Sequence, residues 1–149
     1  MSPTALTAAL VAALALAAFA LPLLPVLLLF GALLAAVAVD ASRIRRRPAI
    51  SRETPELLSL GVPDPFLITV AAPAGAGVRI RQAGPGDIEI EPAEASGPRL
   101  EGTLTARRRG HVELPEVAVR LRGPLGLAAW IHSGEELSLI HISEPTRPY

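Results

Sequence analysis

The chain has 149 residues, with 14 basic and 14 acidic side chains cancelling to a formal net charge of zero, 50% apolar content, 3% aromatic content and no cysteine. These values exclude a disulfide framework, a thiolate zinc site and a cysteine nucleophile, and they give no whole-chain electrostatic reason to bind nucleic acid. The balance hides segregation: no charged side chain precedes Asp40, so what remains suffices for one modest soluble domain, and a plain cytosolic enzyme is disfavoured.

From Ala5 to Val39 only Thr7, Pro22, Pro25 and Gly31 interrupt a run of Ala, Leu, Val and Phe. Such a run is too apolar all round for a surface helix. As one straight helix it would measure roughly 50 Å against about 30 Å of hydrocarbon. Pro22 and Pro25 lack a backbone N–H and clash with the preceding turn, so the bend is placed at Leu21 to Pro25. The pattern predicts a two-helix transmembrane hairpin over 4–39, with helices near 4–21 and 24–39 and a turn near 22–25. Arg43, Arg45, Arg46, Arg47 and Arg52 come next, opposed by Asp40 and Glu53. By the positive-inside rule this flank is cytoplasmic, with Arg43, Arg45, Arg46 and Arg47 as topology determinants in an Arg-rich juxtamembrane linker over 40–52, able to contact anionic lipid. A cleaved signal peptide is the weaker alternative, because Met1 to Thr4 holds no basic residue and the apolar stretch exceeds a signal core. A single kinked span is another, and it would place the N-terminus on the opposite side.

Beyond Asp40 the composition turns to Pro, Gly, Arg, Glu and β-branched residues. Phe66, Ile68 and Val70 alternate, as do Val78 and Ile80 between Arg79 and Arg81, and Ile88 and Ile90 between Asp87, Glu89 and Glu91. Leu100 and Leu104 mark a further strand, followed by Val112 and Leu114, then by Val117, Val119 and Leu121 with Arg120 and Arg122 outward. Pro115 makes this last run either two strands or one bulged edge strand. Turns are expected at 63–65, 73–77, 84–86, 96–98 and 123–126. The prediction is a small antiparallel β-sandwich over 53–132. Its thin core, with Phe66 and Trp130 as the aromatics between Asp40 and Glu136, favours a further interaction surface.

Leu137 to Arg147 reads Leu-Ser-Leu-Ile-His-Ile-Ser-Glu-Pro-Thr-Arg. It resembles the translation of a transposase-end sequencing-library adapter rather than a protein segment, and it departs from the Ala, Arg, Pro and Gly bias of the rest. The expectation is therefore a non-native or disordered tail over 133–149 and an authentic sequence interrupted near Glu136, the weaker alternative being a genuine short C-terminal strand from Leu137 to Ile142. His141 and Glu144 are accordingly kept out of any candidate site.

Little catalytic chemistry is written in the remaining residues. His111 and His132 stand in no HxxxH, HxH or HxxE spacing, so neither a metal site nor a catalytic histidine is expected. Gly75 and Gly77, and Gly84 and Gly86, lack phosphate-loop spacing and are turn residues. Glu89 and Glu91 share one strand face, whereas a glycosidase pair faces across a cleft. No catalytic, cofactor-binding or metal-binding residue is assigned and no cofactor is expected. Arg107, Arg108, Arg109, Arg120 and Arg122 form a candidate basic interaction patch, read against the acidic stretch from Glu53 to Ala106. Without interleaved aromatics the patch does not point to nucleic acid.

The hairpin, Asp40 with its Arg-rich sequel, the β-rich segment and the block from Arg108-Arg109-Gly110 through Pro115, Arg120 and Pro124 to Gly126-Leu127 together resemble the bacterial membrane family called domain of unknown function fifty-eight. Arg52, Leu60 and Gly61 are similar to its lead-in, at looser spacing. The resemblance covers about residues 4–132. It implies a multi-pass protein of the bacterial inner membrane whose cytoplasmic part begins with an immunoglobulin-like β-domain and continues into a von Willebrand factor A-like domain, with a MoxR-type AAA+ ATPase as partner. That second domain, and any metal site it carries, has no counterpart in this sequence. The resulting expectation is the N-terminal fragment of a membrane-anchored scaffold or assembly protein, not an enzyme. The alternative is a complete membrane-tethered β-sandwich that binds anionic lipid or peptide through its arginines.

Overall fold

A computed structural model describes residues 2–55, 57–134 and 138–143. In chain order the elements are β1 (Ser2–Pro3), α1 (Ala5–Ala17), α2 (Leu23–Ile44), β2 (Ala49–Glu53), β3 (Leu57–Ser59), β4 (Pro63–Ala71), β5 (Gly77–Gln82), β6 (Ile88–Glu91), β7 (Glu94–Ser96), β8 (Arg99–Ala106), β9 (Gly110–Leu114), β10 (Val117–Arg122), β11 (Ala128–Ser133) and β12 (Ser138–Ser143). Two apolar helices followed by mostly antiparallel sheet are consistent with the expected helix-plus-β-sandwich class. The chain divides into two compact units, one of residues 1–47, 72–77 and 120–131, the other of 48–71, 78–119 and 132–149.

In the first unit, α1 starts at Thr4, whose side chain accepts from the Thr7 N–H as an N-cap. The helix ends at Ala17, earlier than the expected Leu21; Pro22 disfavours helical geometry at Leu21 alone. Residues 18–21 close tightly instead, with the N–H groups of Ala18, Phe19, Ala20 and Leu21 donating to the carbonyls of Leu14, Leu16, Ala17 and Ala17. Pro25, expected in the bend, sits in the first turn of α2, where a missing N–H costs nothing. At its other end α2 runs past Val39 to Ile44. Arg43 lies in its last turn, where a cation complements the helix dipole, and the helix stops short of Pro48. β1 pairs antiparallel with β11, Ser2 opposite Ala129 and Pro3 opposite Ala128.

In the second unit, β2, β4, β8 and β6 form an antiparallel sheet in that order. Ile68, Leu100 and Leu104 are fully buried, Phe66, Val70 and Ile88 nearly so, and the alternation of the strands accounts for this. Phe66 lies opposite Gly102 in the register, and a Cβ there would come within 2.8 Å of the Phe66 ring and 2.5 Å of the Glu91 carbonyl. Pro115 does interrupt the run into two strands, β9 and β10. Its carbonyl is taken up by the Arg52 guanidinium at 2.9 Å and the Gln82 amide at 3.0 Å, while Arg52 also donates to Gln82 Oε1 at 3.0 Å.

Two expected boundaries need correction. The 40–52 linker is divided between the end of α2 and strand β2, so Arg52 belongs to the β-fold and not to a free flank. Within the span read as a non-native or disordered tail, residues 138–143 form β12, which pairs parallel with β3 and antiparallel with β9, with Ile142 buried, as in the alternative of a short C-terminal strand. The exposed backbone edges of β3 and β9 supply partners, and the β-branched residues of 138–143 suit an extended chain. Residues 135–137 and 144–149 lie outside the described residues. β2, β3, β7 and β11 are absent from the expected set: β3 and β7 have three residues each, and the sequences of β2 and β11 do not alternate apolar with polar residues.

Candidate functional site at the base of the helical hairpin

Asp40 is the first charged side chain in the sequence and lies about one turn from the end of α2, directly after its apolar run, yet it is 1% exposed. A buried carboxylate is tolerated where donors surround it. Here the donors are backbone groups of the turn between β10 and β11: Leu125 N–H reaches Oδ1 at 2.8 Å, and Leu127 and Ala128 N–H reach Oδ2 at 2.8 and 2.9 Å. Hydrogen bonds to an ionised acceptor are about twice as strong as neutral ones.

The sequence of the turn explains why it can wrap a side chain. Gly123 N–H donates to Ala128 O and Gly126 N–H to Gly123 O, closing the loop on itself, and Gly126 has φ +72°. A Cβ at Gly123 would collide with the Asp40 carboxylate, so glycine there is required by the close approach. Pro124 supplies the fixed φ of a turn position.

The start of α1 grips the same loop. Thr4 Oγ1 donates to the Gly126 carbonyl at 2.6 Å and Thr7 Oγ1 donates to the Leu127 carbonyl, while the Thr4 N–H donates to Leu127 O at 3.3 Å. The first turn of α1 and the last turns of α2 are thus fastened to one six-residue loop, 123–128, through both its N–H and its C=O groups. The two helices therefore form a hairpin whose open end is closed by hydrogen bonds. This arrangement holds a position; it offers no nucleophile, general base or ligand set.

The arginines singled out by the sequence are scattered over both units. Arg107 pairs with Glu89 at 2.8 Å, and that hydrogen bond and charge raise its pKa above the ordinary arginine value. Arg108 and Arg109 are exposed in the same unit. Arg120 and Arg122, in the other unit, are exposed on one face of β10, and Arg122 also reaches the Gly126 carbonyl at 3.4 Å through Nε and a terminal nitrogen. Arg43, Arg45, Arg46 and Arg47 are all exposed at and after the end of α2. His132 is buried and His111 exposed. Among the described residues no group of three or more His, Cys, Asp or Glu side chains is arranged to hold a metal ion.

In the sequence Asp40 reads only as an offset to the arginines, and Thr4 and Thr7 pass unremarked as site residues. The signal is present in kind: a lone carboxylate at the edge of an apolar run is costly unless it has a partner. What the sequence does not disclose is that the partner is a backbone loop more than eighty positions away, since backbone donors leave no side-chain signature. No protein-family model matches the chain, and no curated protein matches it.

Proposed function

We propose that this chain is a membrane-anchored scaffold or assembly protein, in which the helical hairpin holds the β-strands at the bilayer surface and the β-part serves as spacer and interaction surface. The observation that carries the reading is the surface of the hairpin. Leu16, Phe19, Leu23, Leu24, Leu27, Leu28, Leu29 and Leu34 are all exposed, Phe19 at 92%. Apolar area of that extent marks a membrane or protein contact surface, and its leucine-rich, charge-free run favours the membrane. Among the described residues α2 is the one helix long and apolar enough to cross a membrane. Arg43 and Arg45 to Arg47 at its end favour the cytoplasmic side for the β-strands.

The resemblance to domain of unknown function fifty-eight supports a bacterial inner membrane, an immunoglobulin-like character for the β-part and a MoxR-type AAA+ ATPase as partner. No catalytic role is part of the proposal. The second reading, a tethered β-sandwich that captures anionic lipid or peptide through Arg107 to Arg109, Arg120 and Arg122, draws on the exposure of these side chains. It is weakened by the engagement of Arg107 with Glu89.

Flotation of the full chain with vesicles separates the two. Insertion of the hairpin predicts co-flotation with both neutral and anionic vesicles that persists in about 1 M salt, where the Debye length is about 3 Å. Binding confined to anionic vesicles and abolished by salt contradicts the anchor and favours the arginine reading.

A further inference from the structure

We infer that the unit bearing the helical hairpin carries a basic collar, built from arginines of two distant chain segments, that gathers anionic phospholipid headgroups around the base of the hairpin. This deepens the membrane-anchor reading and rests on it. Three observations lead there: how charge is divided in the chain, where the arginines are tied, and how the one carboxylate among them is engaged.

The division of charge follows the division of the fold. In the unit of residues 1–47, 72–77 and 120–131 the charged side chains are Arg43, Arg45 to Arg47, Arg120, Arg122 and Asp40. The other unit holds thirteen carboxylates and eight arginines. A formally neutral chain thus has a basic part and an acidic part, and the basic part is the one with the exposed apolar helices. Arg107 to Arg109 fall in the acidic part and do not belong to the collar.

The loop 123–128 brings both sets of arginines to the base of the hairpin. Arg43 lies in the last turn of α2, three residues beyond Asp40, whose carboxylate is bonded to that loop. Arg122 meets the loop from β10: the Gly126 carbonyl accepts from Thr4 Oγ1 at 2.6 Å and from the Arg122 guanidinium at 3.4 Å. One basic group therefore stands at the end of α2 and another at the start of α1. Arg120, two residues from Arg122 along β10, shares its face and is exposed. Leu125, in the same loop, is 55% exposed and supplies an apolar contact suited to the boundary between headgroups and acyl chains.

Asp40 is withdrawn from this surface. It is 1% exposed, and its two oxygens take three backbone N–H groups. The arginines stay exposed, and the long bonds of Arg122 to Gly126 leave its guanidinium with donors to spare. A guanidinium matches a phosphate through two parallel hydrogen bonds, and each arginine near an anionic membrane surface is worth about fivefold in partition. The occupant is the phosphodiester headgroup of an anionic phospholipid, because the collar is continuous with helices whose apolar side chains face outward.

The test reconstitutes the full chain in phosphatidylcholine–phosphatidylglycerol vesicles. Electron spin resonance then reads the share of trace spin-labelled phosphatidylglycerol, or of spin-labelled phosphatidylcholine, whose motion the protein restricts. A several-fold preference for phosphatidylglycerol is expected at low salt and is largely lost in about 1 M salt. Arg120→Gln combined with Arg122→Gln is expected to remove much of the preference while leaving the restricted phosphatidylcholine unchanged. Arg107→Gln, Arg108→Gln and Arg109→Gln together are expected to leave the preference intact. Equal restriction of the two lipids at low salt, a preference untouched by the Arg120 and Arg122 changes, or its loss in the Arg107 to Arg109 variant overturns the collar while leaving the anchor standing. Absence of any restricted lipid overturns the anchor and the collar together.

Discussion

The helical hairpin and the β-strands dispose of their apolar residues in opposite ways. In the strands Ile68, Leu100 and Leu104 are fully buried within the protein, whereas on the hairpin Phe19, Leu23 and Leu28 point outward. The two regions differ correspondingly in what holds them. The strands have a hydrophobic core, supplemented by the Arg52–Gln82–Pro115 hydrogen bonds. The hairpin base buries Ile44, Leu127, Ala128 and Ala129 and is closed in addition by hydrogen bonds to a loop, while the rest of the hairpin leaves its apolar side chains exposed. One sequence therefore contains a part that buries its apolar residues and a part that leaves them exposed, and the polar clasp lies at the base of the second.

Substitutions should act on one region and spare the other. The largest effect is expected for Leu104→Ala, which empties a fully buried site and costs about 3 kcal/mol. Denaturant unfolding followed by circular dichroism in the strand region should show it, with vesicle flotation unchanged. Asp40→Ala leaves three N–H groups, two of them buried, without their acceptor and is expected to cost about 3 kcal/mol or slightly less, as water partly compensates. Its effect should appear as loosened docking of the α2 end, read by proteolysis near Arg43 to Arg47, while the strand signal persists. A clean exchange of these two readouts would break the comparison.

Gly123→Ala forces a Cβ against the Asp40 carboxylate and should cost about 2 kcal/mol. If the Asp40→Ala background removes that penalty, the double-mutant cycle confirms that the two residues act on each other. Thr4→Val removes the hydroxyl bond to Gly126 O and the N-cap, and should lower stability by about 1 kcal/mol in the same assay. Arg107→Ala breaks an exposed pair with Glu89, and no change in midpoint is expected beyond experimental scatter.

The legibility of each element depends on the kind of signal it leaves in the sequence. The hairpin is readable from Ala5 to Val39 because apolar content and proline chemistry are local. Its helix ends are not: α1 stops at Ala17, short of the proline, and α2 runs on through the buried Asp40 to the buried Ile44. The strands at 63–71, 77–82, 88–91, 99–106, 110–114 and 117–122 show themselves through period-two alternation. β3 and β7 have three residues each, too few for a period to register. The expectation for 138–143 rests on resemblance to an adapter, and such a resemblance says nothing about whether a segment with β-branched residues can pair with an open edge. As for the candidate site, both of its halves are visible separately: Asp40 ahead of the arginines, and the Gly123 to Leu127 block as a turn. Their meeting is invisible, since a carboxylate bound by backbone N–H groups has no complementary side chain to find.

The most direct test of the clasp is residue-resolved amide hydrogen exchange of the full chain in lipid-like micelles, comparing the native sequence with Asp40→Ala. Strong protection is predicted at the Leu125, Leu127 and Ala128 amides in the native chain, with a large loss of it in the variant and unchanged protection at Leu100 and Leu104. Rapid exchange of those three amides in the native chain, or protection that survives the loss of the carboxylate, would contradict the clasp and the hairpin geometry built on it.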